Sequence, residues 1–186
     1  PGMGKSSMAG QIAVNATLNH GKRVAFFALE MSKRQLTNRI AAYLTGINSK
    51  LLKRPWELPE HNRQMVREVV GRLSDSRLFI DDTSGISPAQ VRAKTMRLYA
   101  EHGLDLVIVD HLHIMRPDRN LNRQDQEYGE MTKTLAELGK QINAPILTLA
   151  QLNRSVEARQ NKRPIMSDLR ESGAIEENAY GVMFLY

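Results

Sequence analysis

Gly2, Met3, Gly4, Lys5, Ser6 and Ser7 stand directly ahead of a run in which Met8, Ile12 and Ala16 recur at four-residue spacing, flanked by Val14 and Leu18. Glycines let main-chain N–H groups curl around phosphate oxygens, and the amino end of a helix adds a partial positive charge. Pro1–Ser6 fit the last six positions of G-x-x-x-x-G-K-[ST], whose first residue would fall two places before Pro1. Lys5 would then reach β- and γ-phosphates, and the Ser6 hydroxyl would ligate Mg²⁺.

A phosphate loop needs a carboxylate at the end of a buried strand to hold the metal. Leu106-Val107-Ile108-Val109-Asp110 supplies one, four apolar residues and then an acid. Ala25-Phe26-Phe27-Ala28-Leu29-Glu30 is built in the same way and places Glu30 where a carboxylate could orient or deprotonate an attacking water. A strand-end acid alone also serves as a turn cap. Its pairing with the glycine loop, in one α/β pattern, is what points to chemistry. Asp81-Asp82 imitates the metal site, but Thr83-Ser84-Gly85 after it favours a turn. His111 and His113 could chelate zinc as H-x-H, yet no third ligand stands at a familiar spacing, and Mg²⁺ chemistry accounts for Asp110.

The elements that must position these groups follow from hydrophobic patterning. Short, nearly continuous apolar runs at Val24–Leu29, Leu78–Ile80, Leu106–Val109, Ile146–Ala150 and Val182–Tyr186 predict buried parallel strands. Ser32-Lys33-Arg34-Gln35 and Ser87-Pro88-Ala89-Gln90 carry capping-box spacing ahead of two helices. Pro59 opens a third, about residues 60–73, and Gln124–Ile142 reads as a fourth. Strand–helix alternation of this kind predicts an α/β fold, a mainly parallel twisted sheet flanked by helices, with ligands beyond the carboxyl ends of its strands. Met115–Arg123 and Asn153–Met166 read as long polar loops suited to binding. Residues 48–59 read as a surface connection in which Trp56 is a packing anchor rather than a base-stacking residue, and the nine methionines as core filler.

Composition bounds the function classes. With 186 residues and 41% apolar content the chain forms one domain with a real core, and it has no cysteine for disulfides, zinc–thiolate sites or thiolate catalysis. No apolar stretch approaches the ~18 residues of a membrane span. A net charge of +6 favours a polyanionic partner. Residues 1–58 hold nine Lys/Arg against Glu30 and Glu57, and a second basic stretch holds Arg154, Arg159, Lys162, Arg163 and Arg170.

In this setting the chain resembles the C-terminal RecA-like ATPase domain of replicative DnaB-type DNA helicases, a P-loop NTPase core, along essentially its whole length. The strings that carry the resemblance are Pro1-Gly2-Met3-Gly4-Lys5-Ser6, Ala28-Leu29-Glu30-Met31-Ser32, Ile80-Asp81-Asp82-Thr83-Ser84-Gly85 and Val107-Ile108-Val109-Asp110. The most specific are Ala150-Gln151-Leu152-Asn153-Arg154-Ser155-Val156-Glu157, Lys162-Arg163-Pro164 and Ser167-Asp168-Leu169-Arg170-Glu171-Ser172-Gly173.

The resemblance implies Glu30 as catalytic glutamate, Gln151 as sensor of the ATP γ-phosphate, and Arg39 near the nucleotide phosphates. It implies single-stranded DNA contacts at Arg170, Glu171 and Gly173, with Arg154 and Arg163 of the basic loop beside them, since backbone binding needs cations and N–H groups. It further implies ATP and Mg²⁺ as cofactors and 5′→3′ translocation by a homohexameric ring. Primase and a helicase loader would be partners, and the protein, bacterial or phage-encoded, would be cytoplasmic and nucleoid-associated during replication, with no membrane. Residues 1–186 would be a motor domain truncated at both ends. The N-terminal domain, linker helix, first strand and arginine-finger region would lie outside it. A RecA/RadA-like recombination ATPase and a non-catalytic module docking loader or primase remain alternatives. One departure stands out: where the family commonly has Tyr-Leu-Gln after the strand-end aspartate, this chain has His111-Leu112-His113.

Overall fold

The structure, a computed structural model, describes residues 3–121, 123–153, 155–169 and 172–186. Four parallel strands, β1 (Val24–Ala28), β2 (Leu78–Asp81), β3 (Leu106–Asp110) and β4 (Ile146–Thr148), form a sheet in the order β2-β1-β3-β4. All five residues of β1 are buried, which is why its sequence runs apolar without alternation. Side chains still alternate in direction along it. Val24, Phe26 and Ala28 pack with Ala9, Ala13 and Val14 of α1 (Lys5–Val14) and with Leu36 and Ile40 of α2 (Lys33–Thr45). Ala25 and Phe27 pack on the other face, with Val91 of α4 (Pro88–His102) and Met131, Leu135, Leu138 and Ile142 of α5 (Gln124–Ile142). Helices thus cover both faces, and α3 (Glu60–Ser74) adds a smaller cluster of Ala41, Leu52, Leu58 and Val69.

Both capping boxes form. Ser32 Oγ accepts from the Gln35 N–H at 3.3 Å while Gln35 Oε1 accepts from the Ser32 N–H at 2.9 Å. Ser87 and Gln90 repeat the exchange at 3.4 and 2.9 Å. Arg23 donates from its main chain and guanidinium to Asp105 at 2.8–3.0 Å, joining the starts of β1 and β3 and holding the Asp105 carboxyl well below the usual range.

The helix expected after the glycine loop forms as α1; it buries Ala9, Gly10, Ala13 and Val14, with Ala16 packed against the same cluster, and is followed by a π-helical turn at Asn15–Asn19 that buries Thr17. Small side chains there let the helix lie close to the sheet. Three expectations are corrected. Residues 182–186 form no strand: Val182, Met183 and Tyr186 are exposed, and Phe184 packs against the core from a segment without ladder bonds. Trp56 is 69% exposed on a 3₁₀ turn, because Leu52 and Leu58 on either side already fill the local cluster. Of the methionines, Met31, Met115 and Met131 are core residues, whereas Met3, Met96 and Met183 are exposed.

The two long loops are more tightly held than their polarity suggests. In the first, the Asp118 carboxylate accepts from the Ala89 N–H at 3.1 Å, at the start of α4, and Arg116 lies against Gly85. Gly85 has φ +62°, and a Cβ there would fall 2.9 Å from the Arg116 Nε. The second contains a short helix, α6 (Ser155–Ala158), and closes on Asp168. That carboxylate accepts from Arg159 at 2.5 Å and from the Ile165 N–H at 2.8 Å, and the Asp168 carbonyl accepts from the Asn153 N–H at 2.8 Å.

Asp168 is 4% exposed, so Asp168→Ala strands a cation and a main-chain donor together. The expected cost is about 3 kcal/mol, the low end for a broken buried pair because Arg159 remains partly solvated. For a chain of this length that is a melting temperature lower by roughly 6–12 °C. Thermal melting with limited proteolysis of residues 155–169 measures both the loss and its location.

Candidate functional site

From β1 the chain goes to β2 on one side and then, through α4, to β3 on the other, so a crevice opens where the carboxyl ends of β1 and β3 diverge. Ala28 pairs with Asp110 in the ladder, and the Asp110 carbonyl accepts from the Leu29 and Glu30 N–H groups at 2.8 and 3.3 Å. Two carboxylates from neighbouring strands therefore enter one crevice on a fixed main-chain frame. Leu149 donates to the Val109 carbonyl and Leu112 donates to the Leu149 carbonyl, each at 2.9 Å, which brings the exit of β4 and Gln151 alongside. The loop bearing Glu30 is held from its far side by Asp82, which accepts from the Lys33 N–H at 2.7 Å. Asp81 pairs with Lys94 at 2.5 Å, so the Asp81-Asp82 pair is structural, as the turn beside it suggests.

The amino end of α1 faces the same crevice. Gly4 caps it at φ 83°, a left-handed conformation that favours glycine. Among the described residues no side chain caps the helix, and no acid lies in its first turn, so its leading N–H groups and dipole are available to an anion. Lys5 is half-buried, Ser6 is buried, and Met3 and Ser7 are exposed. Lys5, Ser6, Glu30, Gln151 and the exposed Arg39 of α2 line one continuous cleft.

Asp110 is fully buried, and neither of its carboxylate oxygens has a hydrogen-bond partner among the described residues. Burial pushes its carboxyl above the ordinary value and Glu30 adds to this, while Ser6, Lys5 and His111 pull the other way. The Ser6 hydroxyl is close enough to favour the charged form without reaching hydrogen-bond geometry. A buried carboxylate with both oxygens open, beside a helix-start hydroxyl, is a hard-oxygen donor set that suits Mg²⁺.

Two residues gain a place that their types alone do not reveal. His111 Nε2 lies 3.7 Å from Glu30 Oε2. Burial lowers the His111 pKa, against an upward pull from Glu30, so the ring faces Glu30 as a neutral imidazole at neutral pH. His113 Nδ1 accepts from the Gln151 N–H at 3.4 Å, and its ring meets Tyr128 edge-on at 4.9 Å. The usable signal is positional: H-x-H directly after a strand-end acid.

On the loop side, Arg163 is exposed, with its guanidinium 5.6 Å from the Tyr186 ring centroid, and Gly173 is exposed near the start of α7 (Ser172–Asn178). Gly2, Arg154, Arg170 and Glu171 lie outside the described residues.

Residues 1–186 match the family described as DnaB-like helicase C terminal domain. The chain belongs to this family. Similar curated proteins include the replicative DNA helicase DnaC of Bacillus subtilis (strain 168), 39% identical over 187 residues that cover all of this chain and 41% of that protein. The replicative DNA helicase DnaB of Haemophilus influenzae is 38% identical over 188 residues, with 100% and 40% covered. The chain thus spans about two fifths of the length of these relatives.

Among solved structures, one described as an ATPase domain aligns at a TM-score of 0.90 and 28% identity, over 96% of this chain and 64% of that one. A structure described as that of a DnaB-like replicative helicase and its interactions with primase aligns at 0.89 and 28%, over 96% and 43%. The fold is therefore the RecA-like core of DnaB-like helicases, with Glu30 and Asp110 on adjacent strand ends of that core. Among the described residues, no helix of this DnaB-like domain is long and apolar enough to cross a membrane.

Proposed function

We propose that the chain is the motor domain of a replicative DNA helicase, in which Mg²⁺–ATP hydrolysis drives 5′→3′ movement along single-stranded DNA and separation of the duplex. The observation that carries this reading is that Glu30 and Gln151, from the ends of two of three adjacent parallel strands, line one cleft with Lys5 and Ser6 at the uncapped amino end of α1, while Asp110 at the end of the strand between them lies buried within electrostatic reach of Ser6, Lys5 and Glu30. Lys5 and the α1 N–H groups bind the phosphates, with Arg39 beside them. Ser6 and Asp110 would hold the metal, which when bound neutralises charge gathering on the β- and γ-phosphate oxygens. Glu30 orients a water and accepts its proton as the oxygen attacks the γ-phosphorus. The bond to the bridging oxygen breaks, and ADP and phosphate leave. Gln151 senses the γ-phosphate and relays its loss to the loop that follows it.

Single-stranded DNA is the partner best suited to that loop. Arg154, Arg163 and Arg170, with Glu171 and Gly173, supply the cations and N–H groups that a phosphate backbone needs. In the full-length protein six copies would form a ring in the cytoplasm, each completing its neighbour's site, with primase and a loader as partners.

The test is ATP turnover by the full-length parent protein with and without single-stranded DNA, beside strand separation on a forked duplex. Strong DNA stimulation with 5′→3′ unwinding is expected. A rate indifferent to DNA would sink the helicase reading, and stimulation with strand exchange instead of unwinding would favour a recombination ATPase.

A further inference from the structure

The His111-Leu112-His113 departure places two imidazoles between the groups on which hydrolysis and its sensing depend. His111 stands against Glu30 at 3.7 Å. The His111 and His113 rings are neighbours, with centroids 5.8 Å apart and planes tilted by 58°. His113 accepts from the Gln151 main chain at 3.4 Å, and behind it the Tyr128 ring of α5 closes the pocket at 4.9 Å. One turn further along α5, the Thr132 hydroxyl accepts from the Asn178 side chain at the end of α7 at 3.3 Å.

The local topology explains why an imidazole is useful here. β4 ends at Thr148, and β3 has already turned away into the 3₁₀ turn Leu112–Ile114. The Gln151 N–H therefore meets a ring nitrogen carried on that turn where a ladder carbonyl would otherwise stand. A main-chain donor left without an acceptor in a half-buried place is costly, so this contact fixes how the β4 exit sits relative to the β3 exit.

We propose that His113 is a positioning residue that couples Gln151 to Glu30. Its Nδ1 seats the Gln151 main chain, and its ring, held between His111 and Tyr128, transmits displacement of that segment to the Glu30 side of the crevice and to α5. This rests on the reading of Gln151 as the γ-phosphate sensor. Contiguity alone does not establish coupling, so the role has to be separated from mere packing.

Two substitutions make that separation in the full-length protein. His113→Phe keeps a ring of similar size against Tyr128 and His111 but removes the acceptor. His113→Asn loses the ring but keeps an acceptor at the position of Nδ1. The readouts are kcat and KM for ATP, each measured with and without single-stranded DNA, and Gln151→Ala is measured alongside.

His113→Phe is expected to cut the DNA stimulation of kcat by about fivefold or more, the lower bound of an ordinary coupling free energy, with little change in KM. His113→Asn is expected to retain most of the stimulation. Full stimulation in His113→Phe would reduce the ring to packing and overturn the proposal, as would equal loss in both variants. If Gln151→Ala itself retains full stimulation, the sensor reading fails. If Gln151→Ala loses it and His113→Phe does not, only the coupling role of His113 fails.

Discussion

Glu30→Gln is expected to lower DNA-stimulated ATP turnover by about 10²–10⁴-fold, the usual contribution of a positioned general base, while ATP affinity in the presence of Mg²⁺ stays nearly unchanged. The substitution is isosteric, and the main-chain bond from Glu30 to the Asp110 carbonyl survives it, so the crevice keeps its shape. What disappears is the proton acceptor. The neutral His111 ring, 3.7 Å from Glu30 Oε2, remains as a nearby base, and residual turnover in the variant measures what it can supply. The Glu30 side chain is 54% exposed, so the loss is chemical and not a failure to fold. Pre-steady-state turnover paired with equilibrium ATP binding tests it. A fall of less than tenfold would assign the water to another residue, and a parallel loss of binding would make Glu30 part of the phosphate site instead.

The groups of this site differ in how visible they are in the sequence, for physical reasons. Val24–Ala28 and Leu106–Val109 are buried or nearly so on both faces, so their apolar runs are unbroken and the acids that end them stand out. Short-range chemistry is equally plain: each Ser/Gln capping box is specified by two residues three apart, and both form. Pattern misleads wherever the outcome depends on a distant partner. An apolar run such as residues 182–186 records a tendency to be buried but not whether a strand edge is at hand to pair with it. Trp56 is large and apolar, yet the space beneath its turn is taken by Leu52 and Leu58. The π-helical turn after Val14 follows tertiary packing, since no local pattern at Asn15–Asn19 demands it. The two histidines after Asp110 do not look like zinc ligands, and spacing offers them no other role. Their relation to Glu30 and Gln151 exists only once β1, β3 and β4 lie side by side.

Asp110→Asn is expected to act in opposite directions on turnover and on stability. Turnover should fall towards background, because one of the two oxygen donors placed for the metal becomes a neutral amide. The ligand-free chain, in contrast, should become more stable at neutral pH. A buried carboxylate with neither oxygen hydrogen-bonded is an uncompensated charge, and the amide removes that charge without changing the volume.

The sign of the pH dependence follows from the raised pKa of Asp110 in the folded state. Between the unfolded value, about 3.9, and the folded value, the folded chain holds more protons than the unfolded one. Its stability therefore falls as pH rises through that window, and the full penalty is present above it. The asparagine variant has no such penalty, so its melting temperature should exceed that of the parent by about 2–4 °C for each kcal/mol relieved. The gap should open as pH rises above about 4. Adding Mg²⁺–ATP should reverse the order, because only the carboxylate gains from the cation. Thermal melts at several pH values, with and without Mg²⁺–ATP, give all three comparisons. A parent chain that melts higher than the variant at every pH in the absence of ligand would mean that Asp110 is held by a structural partner. The site would then have been built for folding and not for a metal.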